Sequence, residues 1–321
     1  MTGFRDYAAL DRPDATGLPL AWGIWGPDDE LGTLNNITPE TVRASAAQIR
    51  RGVRFSLDLP LHLPFGKTLP GAHRRRAAPT PTLFVEDGPE RLGRDDKLDG
   101  FWLQGSSQWD SLTHIGDPRH GFYNGVRPEQ VTHGEGSRNG IDKVARFGLA
   151  GRGVLVDVPR YCAAIGRTWS PMGQLLFSAA DLAACLDHQG VVVQPGDILL
   201  VRLGWVRALL DASGPAADTL FRPRNYSGLS GGEDMWQFLW DQRIAAVAAD
   251  SVTVEVWPMQ DGKPSLHLAI ARLGLTIGEM FDFEALAEDC AATHDYCSFV
   301  TSSPLNLRGG VGSPPNAMAI R

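Results

Sequence analysis

Short apolar segments bounded by glycine, proline or a charged residue constrain the fold of this chain most strongly. Three of them lie at residues 153–158, 197–202 and 244–250, and each has the length of one buried strand. A segment of helical composition, residues 178–186, lies between the first two. Because strands and helices alternate along the chain, the sequence predicts an α/β or α+β fold.

Two helices and one more strand can be placed from local signals. Thr38 followed by Pro39 is typical of a helix N-cap and first turn, and the amphipathic pattern predicts a helix from there to Arg50. Residues 53–57 alternate between polar and apolar side chains, which predicts a strand. Residues 266–273 have the composition of a second helix.

Composition narrows the possible partners. The chain has 321 residues, 43% of them apolar, which is enough for a substantial core in one large domain or two ordinary ones. Its net charge of −7, from 37 acidic and 30 basic residues, argues against nucleic acid or an anionic membrane as the main partner. No apolar stretch approaches the roughly 20 residues that span a bilayer, and the first residues lack a signal-peptide pattern. We therefore expect a cytoplasmic protein.

Two distant polar clusters carry the chemistry. Residues 108–114 contain Asp110 and His114, and a second cluster runs from Ser265 and His267 to Glu279. Carboxylates, imidazoles and amides from two places in a chain can form a metal site that activates water. Two simpler interpretations stay open. Asp110 and His114 could form a solvated ion pair on one helix face, and His267, between two leucines, could be a core residue.

One basic run, His73 to Arg76, interrupts this acidic chain among prolines. Its first interpretation is an exposed loop. Its functional interpretation is a patch that binds an anionic group of a substrate, because guanidinium groups recognise carboxylates and phosphates.

The segment around Asp110 resembles the HxGTHxDxPxH signature of the metal-dependent cyclase family, which includes bacterial kynurenine formamidase, isatin hydrolase and trans-dienelactone hydrolase. In this chain the successive signature positions are occupied by Gln104, Gln108, Asp110, Leu112 and His114. Two signature histidines are therefore amides here. The family also carries a His and a Glu twelve residues apart on a later helix, and His267 and Glu279 have that spacing.

The resemblance extends over most of the chain. Residues 151–158, 193–205, 225–230 and 309–314 are similar to family segments in the expected order, and residues 29–35 resemble the opening of a longer subgroup with an N-terminal extension. The resemblance implies an α/β chain with the kynurenine formamidase-like swivelling β/β/α fold, a β-barrel-like core with outer helices. Residues 1–50 would be the extension and 51–321 the catalytic domain, packed as one unit. A homo-oligomer, dimer or tetramer, is implied as well.

The resemblance also implies roles for single residues. Asp110, His267 and Glu279 would bind one divalent metal ion, Mn²⁺ or Zn²⁺, and His114 would be the general acid/base. Gln108 would be a fourth ligand through its side-chain oxygen or a hydrogen-bond donor to the substrate. We expect the pocket to be lined by Gln104, Gln108 and Trp109. The alternative is that both glutamines are structural and metal binding has been lost.

The implied function is that of a metal-dependent hydrolase acting on the C–N or ester bond of a small amide, lactone or cyclic amide. Two other classes stay open: a non-hydrolytic cyclase or dehydratase of secondary metabolism on the same scaffold, and a catalytically silent binding protein. In each case the expected partner is a small molecule.

Overall fold

The computed structural model describes residues 4–64, 76–212, 224–260 and 262–321. The strands in these ranges are β1 (Arg54–Ser56), β2 (Thr80–Asp87), β3 (Leu92–Asp99), β4 (Gln108–Asp110), β5 (Leu149–Asp157), β6 (Leu176–Phe177), β7 (Ile198–Arg202), β8 (Gly228–Leu229), β9 (Ala246–Ala249), β10 (Thr276–Glu279), β11 (Cys297–Ser302), β12 (Gly312–Ser313) and β13 (Ala317–Ile320). The α-helices are α1 (Pro39–Ser45), α2 (Ile141–Phe147), α3 (Val158–Ala164), α4 (Ala179–His188), α5 (Trp205–Asp211), α6 (Glu233–Asp241), α7 (Leu268–Leu273) and α8 (Glu284–Thr293).

A nine-stranded curled sheet in the order β1-β13-β11-β5-β7-β9-β10-β4-β12 organises the described residues. Its central strands β5, β7, β9 and β10 pair in parallel. Towards one edge β4 and β12 pair antiparallel, and towards the other so do β11, β13 and β1. Helices lie outside the sheet, so the prediction of an α/β fold with a β-barrel-like core and outer helices is confirmed, and the core is a curled half-barrel.

Both faces of the sheet are buried, as parallel strands require. Alternate residues of β5, such as Val154 and Leu155, enter two different apolar clusters. The cluster on one face includes side chains of α4, α6 and α7, and the cluster on the other includes side chains of α2 and α8. The first 50 residues contribute to both, since Leu10 and Ala21 lie in the first cluster and Leu34 in the second.

Helix α1 begins as the sequence predicts but ends earlier. The Thr38 hydroxyl accepts the backbone N–H of Thr41, and Pro39 opens the helix. At Ser45 the side chain donates to the carbonyl of Val42, and the chain continues as a 3₁₀ turn over Ala46–Gln48. The predicted helix to Arg50 was therefore too long.

Helices of the described residues are all too short or too polar to cross a membrane. Strands β2 and β3 form a separate two-stranded sheet, and most of their residues are exposed. The segment that contains them runs from Arg76 to Gln104, and its two ends are linked by a hydrogen bond of 2.7 Å from Arg76 Nη1 to the Gln104 carbonyl.

Candidate metal centre

The register between β4 and β10 brings the two polar clusters together. Gln108 lies opposite Glu279, and Trp109 lies opposite Gly278. Because side chains alternate along a strand, Gln108 and Asp110 share one face of the sheet with Glu279, and Trp109 points to the other face. The sheet therefore places an amide and two carboxylates side by side, and all three are buried.

Glu279 is on a strand and not, as the sequence predicted, on the helix that follows His267. Helix α7 ends at Leu273, where Gly274 takes the left-handed conformation that favours glycine. The chain then enters β10, and Glu279 is its last residue. The spacing of twelve residues thus spans a helix, a turn and a strand.

His267 is held at the start of α7 by a residue that the sequence analysis missed. Its Nδ1 lies 2.7 Å from Oε2 of Glu255, a carboxylate that is 3% exposed. Ser265 donates to the same carboxylate over 2.6 Å, and its hydroxyl accepts the backbone N–H of His267. Glu255 therefore orients the imidazole from behind, as a carboxylate partner does for many metal-binding histidines.

The four residues predicted to converge do so. His267 Nε2 lies 3.0 Å from Glu279 Oε1 and 3.9 Å from Asp110 Oδ2. His114 Nδ1 lies 3.9 Å from Asp110 Oδ1. Ligand atoms of Asp110, His114 and His267 all lie within 4.8 Å of one another. His114, predicted to transfer protons, is thus also within reach of an ion shared with Asp110 and His267.

The carboxylates around His267 set its charge. Burial acts to lower the pKa of His267, but the charge of Glu255 and the hydrogen bonds to Glu255 and Glu279 raise it well above its ordinary value. Burial, with the nearby charges of Asp110 and Glu255, raises the pKa of Glu279 to about 7 even though His267 opposes the shift. The neighbours of His267 therefore favour the protonated form of its imidazole, which lies between Glu255 and Glu279.

His114 has the opposite electrostatic setting. Burial lowers the pKa of His114, and the positive charges of His267 and Arg76 act in the same direction, against the charge of Asp110. The Gln104 amide nitrogen lies 2.7 Å from His114 Nδ1 and 2.9 Å from Asp110 Oδ1. These surroundings favour the neutral imidazole, and a Gln104 amide nitrogen that donates to Nδ1 places the ring proton on Nε2.

Two buried oxygen atoms of the site, one from Gln108 and one from Asp110, indicate whether it suits a metal ion. Gln108 donates from Nε2 to both Asp110 Oδ1 and Glu279 Oε2, each over 3.0 Å. Its own Oε1 and the Oδ2 atom of Asp110 are buried without a hydrogen-bond partner among the described residues. Buried acceptors of this kind are costly unless a donor or cation satisfies them. Oxygen atoms together with an imidazole form a donor set that fits a divalent cation.

Trp109 does not line the pocket, contrary to the sequence prediction. It is fully buried in the second apolar cluster, its ring centroid lies 4.9 Å from that of Phe281, and its Nε1 donates to Ser302 Oγ. A Cβ atom at Gly278 would come within 2.7 Å of the indole, so the strand can pass this ring only as glycine. Because side chains alternate along β4, Gln108 and Asp110 point into the site and Trp109, between them, points away from it.

A cavity of about 390 Å³ adjoins these polar groups. Its polar lining includes His114, Glu255, His267 and Glu279, and the apolar part of its wall is formed by Ile115, Tyr226, Val252, Trp257 and Met259. Arg76 lines it as well, whereas the other three residues of the predicted basic run, at positions 73–75, lie outside the described residues. Gln104 and Gln108, which the sequence predicted to line the pocket, are not among the lining residues, and both donate to Asp110 Oδ1.

Glu255 carried a weak signal in the sequence. Val252, Val254 and Val256 alternate with Thr253 and Glu255, a pattern that predicts a strand with its polar side in solvent. In the structure that polar side faces the cavity and His267. Only the tertiary arrangement distinguishes these two environments.

Comparison with known proteins agrees with this geometry. A family model described as "Putative cyclase" matches residues 60–256. A crystal structure titled as a novel cyclase is 33% identical, with a TM-score of 0.81, and the match covers 94% of this chain and 99% of that one. The chain therefore belongs to the cyclase family.

More distant structures share the fold. Isatin hydrolase A from Ralstonia solanacearum is 16% identical with a TM-score of 0.57, and the match covers 88% of this chain and 98% of that one. An isatin hydrolase bound to the product analogue thioisatinate is 14% identical with a TM-score of 0.53, at the same coverage. No curated protein sequence matches the chain.

Proposed function

We propose that this protein is a metal-dependent hydrolase that cleaves the C–N or ester bond of a small amide, lactone or cyclic amide. The observation that supports it is the convergence of Asp110, His267 and Glu279 beside a cavity. Two buried oxygen atoms there have no hydrogen-bond partner in the described part of the chain. The hydrolase fold of the isatin hydrolases is consistent with it.

One divalent ion, Mn²⁺ or Zn²⁺, would be held by Asp110, His267 and Glu279, with Gln108 Oε1 as a further donor. When bound, such an ion lowers the pKa of water and polarises a carbonyl group. The amides at positions 104 and 108 are weaker donors than the imidazoles of the family signature, so a second ion would lack ligands. We therefore propose one tightly held equivalent per chain.

His114 would move the proton in this reaction, and Gln104 decides which ring nitrogen is available. With the Gln104 amide nitrogen on Nδ1, His114 can donate a hydrogen bond from Nε2 to a substrate oxygen. To accept a proton at Nε2, the ring would first have to carry its proton on Nδ1. The Gln104 amide nitrogen, which also donates to Asp110 Oδ1, opposes that tautomer, so the arrangement favours His114 as a donor to the substrate.

The test combines metal analysis with a reaction screen. Purified protein is dialysed extensively, its metal content is measured, and lactones, formamides and cyclic imides are offered with and without added Mn²⁺ or Zn²⁺. We expect about one equivalent of metal and hydrolysis that depends on it, with oxygen from isotopically labelled water in the product. Turnover without label indicates a non-hydrolytic enzyme, and absence of both metal and turnover contradicts the proposal.

A further inference from the structure

Arg272 is a fully buried arginine on α7, five residues after His267. Each of its three guanidinium nitrogens donates a hydrogen bond to a different part of the chain. Nε donates to Asp117 Oδ2 over 2.5 Å, Nη2 to Asp14 Oδ2 over 2.6 Å, and Nη1 to the Leu18 carbonyl over 2.7 Å. Because the guanidinium group is planar and its donors point in fixed directions, these bonds set the position of α7 relative to all three acceptors.

Asp117 connects α7 to the segment that carries His114. It lies three residues after His114, in a turn where Asp117 and Gly121 each donate a backbone N–H to the carbonyl of the other over 2.8 Å. The carboxylate oxygen that does not bond Arg272, Oδ1, accepts the backbone N–H of Arg119 over 2.7 Å. The carboxylate is therefore fixed on both oxygens, and its ion pair with Arg272 joins the segment of one histidine to the helix of the other.

Residues 18–22 of the N-terminal extension close the other end of the same helix. The backbone N–H of Ala21 donates to the Arg272 carbonyl over 2.9 Å, and Trp22 Nε1 donates to the Ala271 carbonyl over 2.8 Å. The last carbonyls of a helix have no partner within that helix, so acceptors of this kind need donors from elsewhere. The extension thus holds both the backbone and the side chain at the carboxyl end of α7.

Asp14 adds a second connection between α7 and the turn after His114. Its Oδ2 atom lies 2.6 Å from Arg272 Nη2 and 2.6 Å from Nε2 of His120, a residue of that turn. Replacing a buried ion cluster by apolar side chains of similar size is often neutral or stabilising, so net stability does not explain why Arg272 is placed here. The fixed arrangement of the segments that it joins is the better explanation.

We propose that Arg272 is a positioning residue of the candidate metal centre, and that its bonds to Asp117 and Asp14 fix the separation of His114 and His267. The two imidazole centroids lie 6.2 Å apart. Gln104 and Glu255 orient the single rings, whereas the Arg272 cluster sets the distance between the segments that carry them. Metal sites need their ligands within about 0.5 Å of the working geometry, so this distance determines metal affinity. The link to metal affinity rests on the proposed function.

Asp117→Asn tests this role with little change of shape. If the side-chain oxygen keeps the N–H of Arg119, the new NH₂ group faces the Nε–H of Arg272, and two donors cannot bond. Arg272 retains Asp14 as its counter-charge, so the protein should still fold. A crystal structure of the metal-free variant should show the centroids of His114 and His267 displaced by more than about 0.5 Å from their 6.2 Å separation. Spectroscopic titration with Co²⁺ should show affinity lower by about 10- to 100-fold, the range for residues that support metal ligands.

Asp197→Asn is the matched control. It alters a second buried ion pair, in which Arg152 Nη2 lies 2.7 Å from Asp197 Oδ2, at the amino ends of β5 and β7. Glu279, by contrast, is the last residue of β10, so the control lies at the opposite end of the sheet from the metal centre. The control should lower the thermal unfolding midpoint as Asp117→Asn does, but leave the histidine separation and the Co²⁺ affinity unchanged.

Arg272→Lys gives a second measurement that keeps the buried positive charge. A lysine ammonium group is a compact charge without the rigid fork of a guanidinium, so it cannot hold two carboxylates and a carbonyl in the same geometry. We expect the histidine separation and the Co²⁺ affinity to change in the same direction as in Asp117→Asn.

Two outcomes would overturn the positioning role: an unchanged histidine separation in both Asp117→Asn and Arg272→Lys, or equal changes in the Asp197→Asn control. The two readouts also separate this role from the proposed function. If the separation changes but the unmodified protein binds no Co²⁺, the positioning role is supported and the metal-dependent function is contradicted. If all the proteins bind Co²⁺ with equal affinity, the metal site is supported and the positioning role is contradicted.

Discussion

The two sides of the candidate metal centre hold their polar groups by different means. On the β4 side, neutral amides surround a carboxylate: Gln104 and Gln108 both donate to Asp110 Oδ1. On the α7 side, charges face one another: His267 lies between Glu255 and Glu279.

The β4 side therefore fixes the orientation of the polar groups, whereas the α7 side sets the charge at the site. The amides keep the same charge at any pH, so on the β4 side they fix the direction of Asp110 and of the neighbouring His114. The α7 side depends on pH, because the carboxylates around His267 raise its pKa and so favour a proton on the imidazole. A metal ion that binds His267 must displace that proton, and metal affinity is therefore linked to the α7 side.

The largest expected effect is on the α7 side. Glu279→Ala should lose the metal and the activity together, with turnover falling beyond the roughly 10⁴-fold limit of a lost general acid/base, because a carboxylate ligand holds the ion. Elemental analysis after dialysis and a rate assay on the same sample check this. Glu129→Ala, on an exposed turn, is the control and should keep both. A Glu279→Ala protein that stays loaded would remove Glu279 from the ligand set.

His114→Ala should lose about 10²–10⁴ in turnover while keeping the metal, if the residue transfers protons and does not anchor the ion. The paired assay of metal content and rate applies again. The His114→Ala variant is the sharpest test of the comparison, because the ligand atoms of His114, Asp110 and His267 all lie within 4.8 Å of one another. If the His114→Ala protein is metal-free, His114 is a metal ligand, and both sides of the centre contribute an imidazole to the ion.

Glu255→Gln should weaken metal affinity by about 10- to 100-fold, the range observed when the carboxylate partner of a metal-binding histidine is altered. The amide keeps the shape of the side chain and one hydrogen bond to His267, so the folded structure should persist. Competition with a chelator measures the affinity, and circular dichroism checks the fold. Unchanged affinity would mean that Glu255 balances the charge of His267 only in the absence of metal.

The smallest effect on activity is expected at Trp109. Trp109→Phe should change KM by no more than about twofold, because the indole lies on the far face of β4, yet it should destabilise the protein by about 1–3 kcal/mol through lost volume and the lost bond to Ser302. Denaturant unfolding and Michaelis kinetics measure the two quantities. A large rise in KM at unchanged stability would place the ring in the pocket after all.

Local signals in the sequence were enough to place many elements. The apolar runs that predicted strands became β5, β7 and β9, and the segment after Ser178 became α4, capped by that serine. Segments of this kind carry their own periodicity and end signals, so a single sequence reveals them. The pairing of Asp110 and His114 with His267 and Glu279 was also predictable, but through the resemblance to a family and not through spacing.

The sequence by itself determined the inventory of the site: one Asp, two His, one Glu and two amides in place of imidazoles. Only the tertiary structure decided which neighbours these groups have. Strand register turned Trp109 away from the cavity, and tertiary packing brought Glu255 against His267. The physical reason is that periodicity reports which face of an element a residue occupies, whereas contacts between distant elements depend on how those faces are packed together.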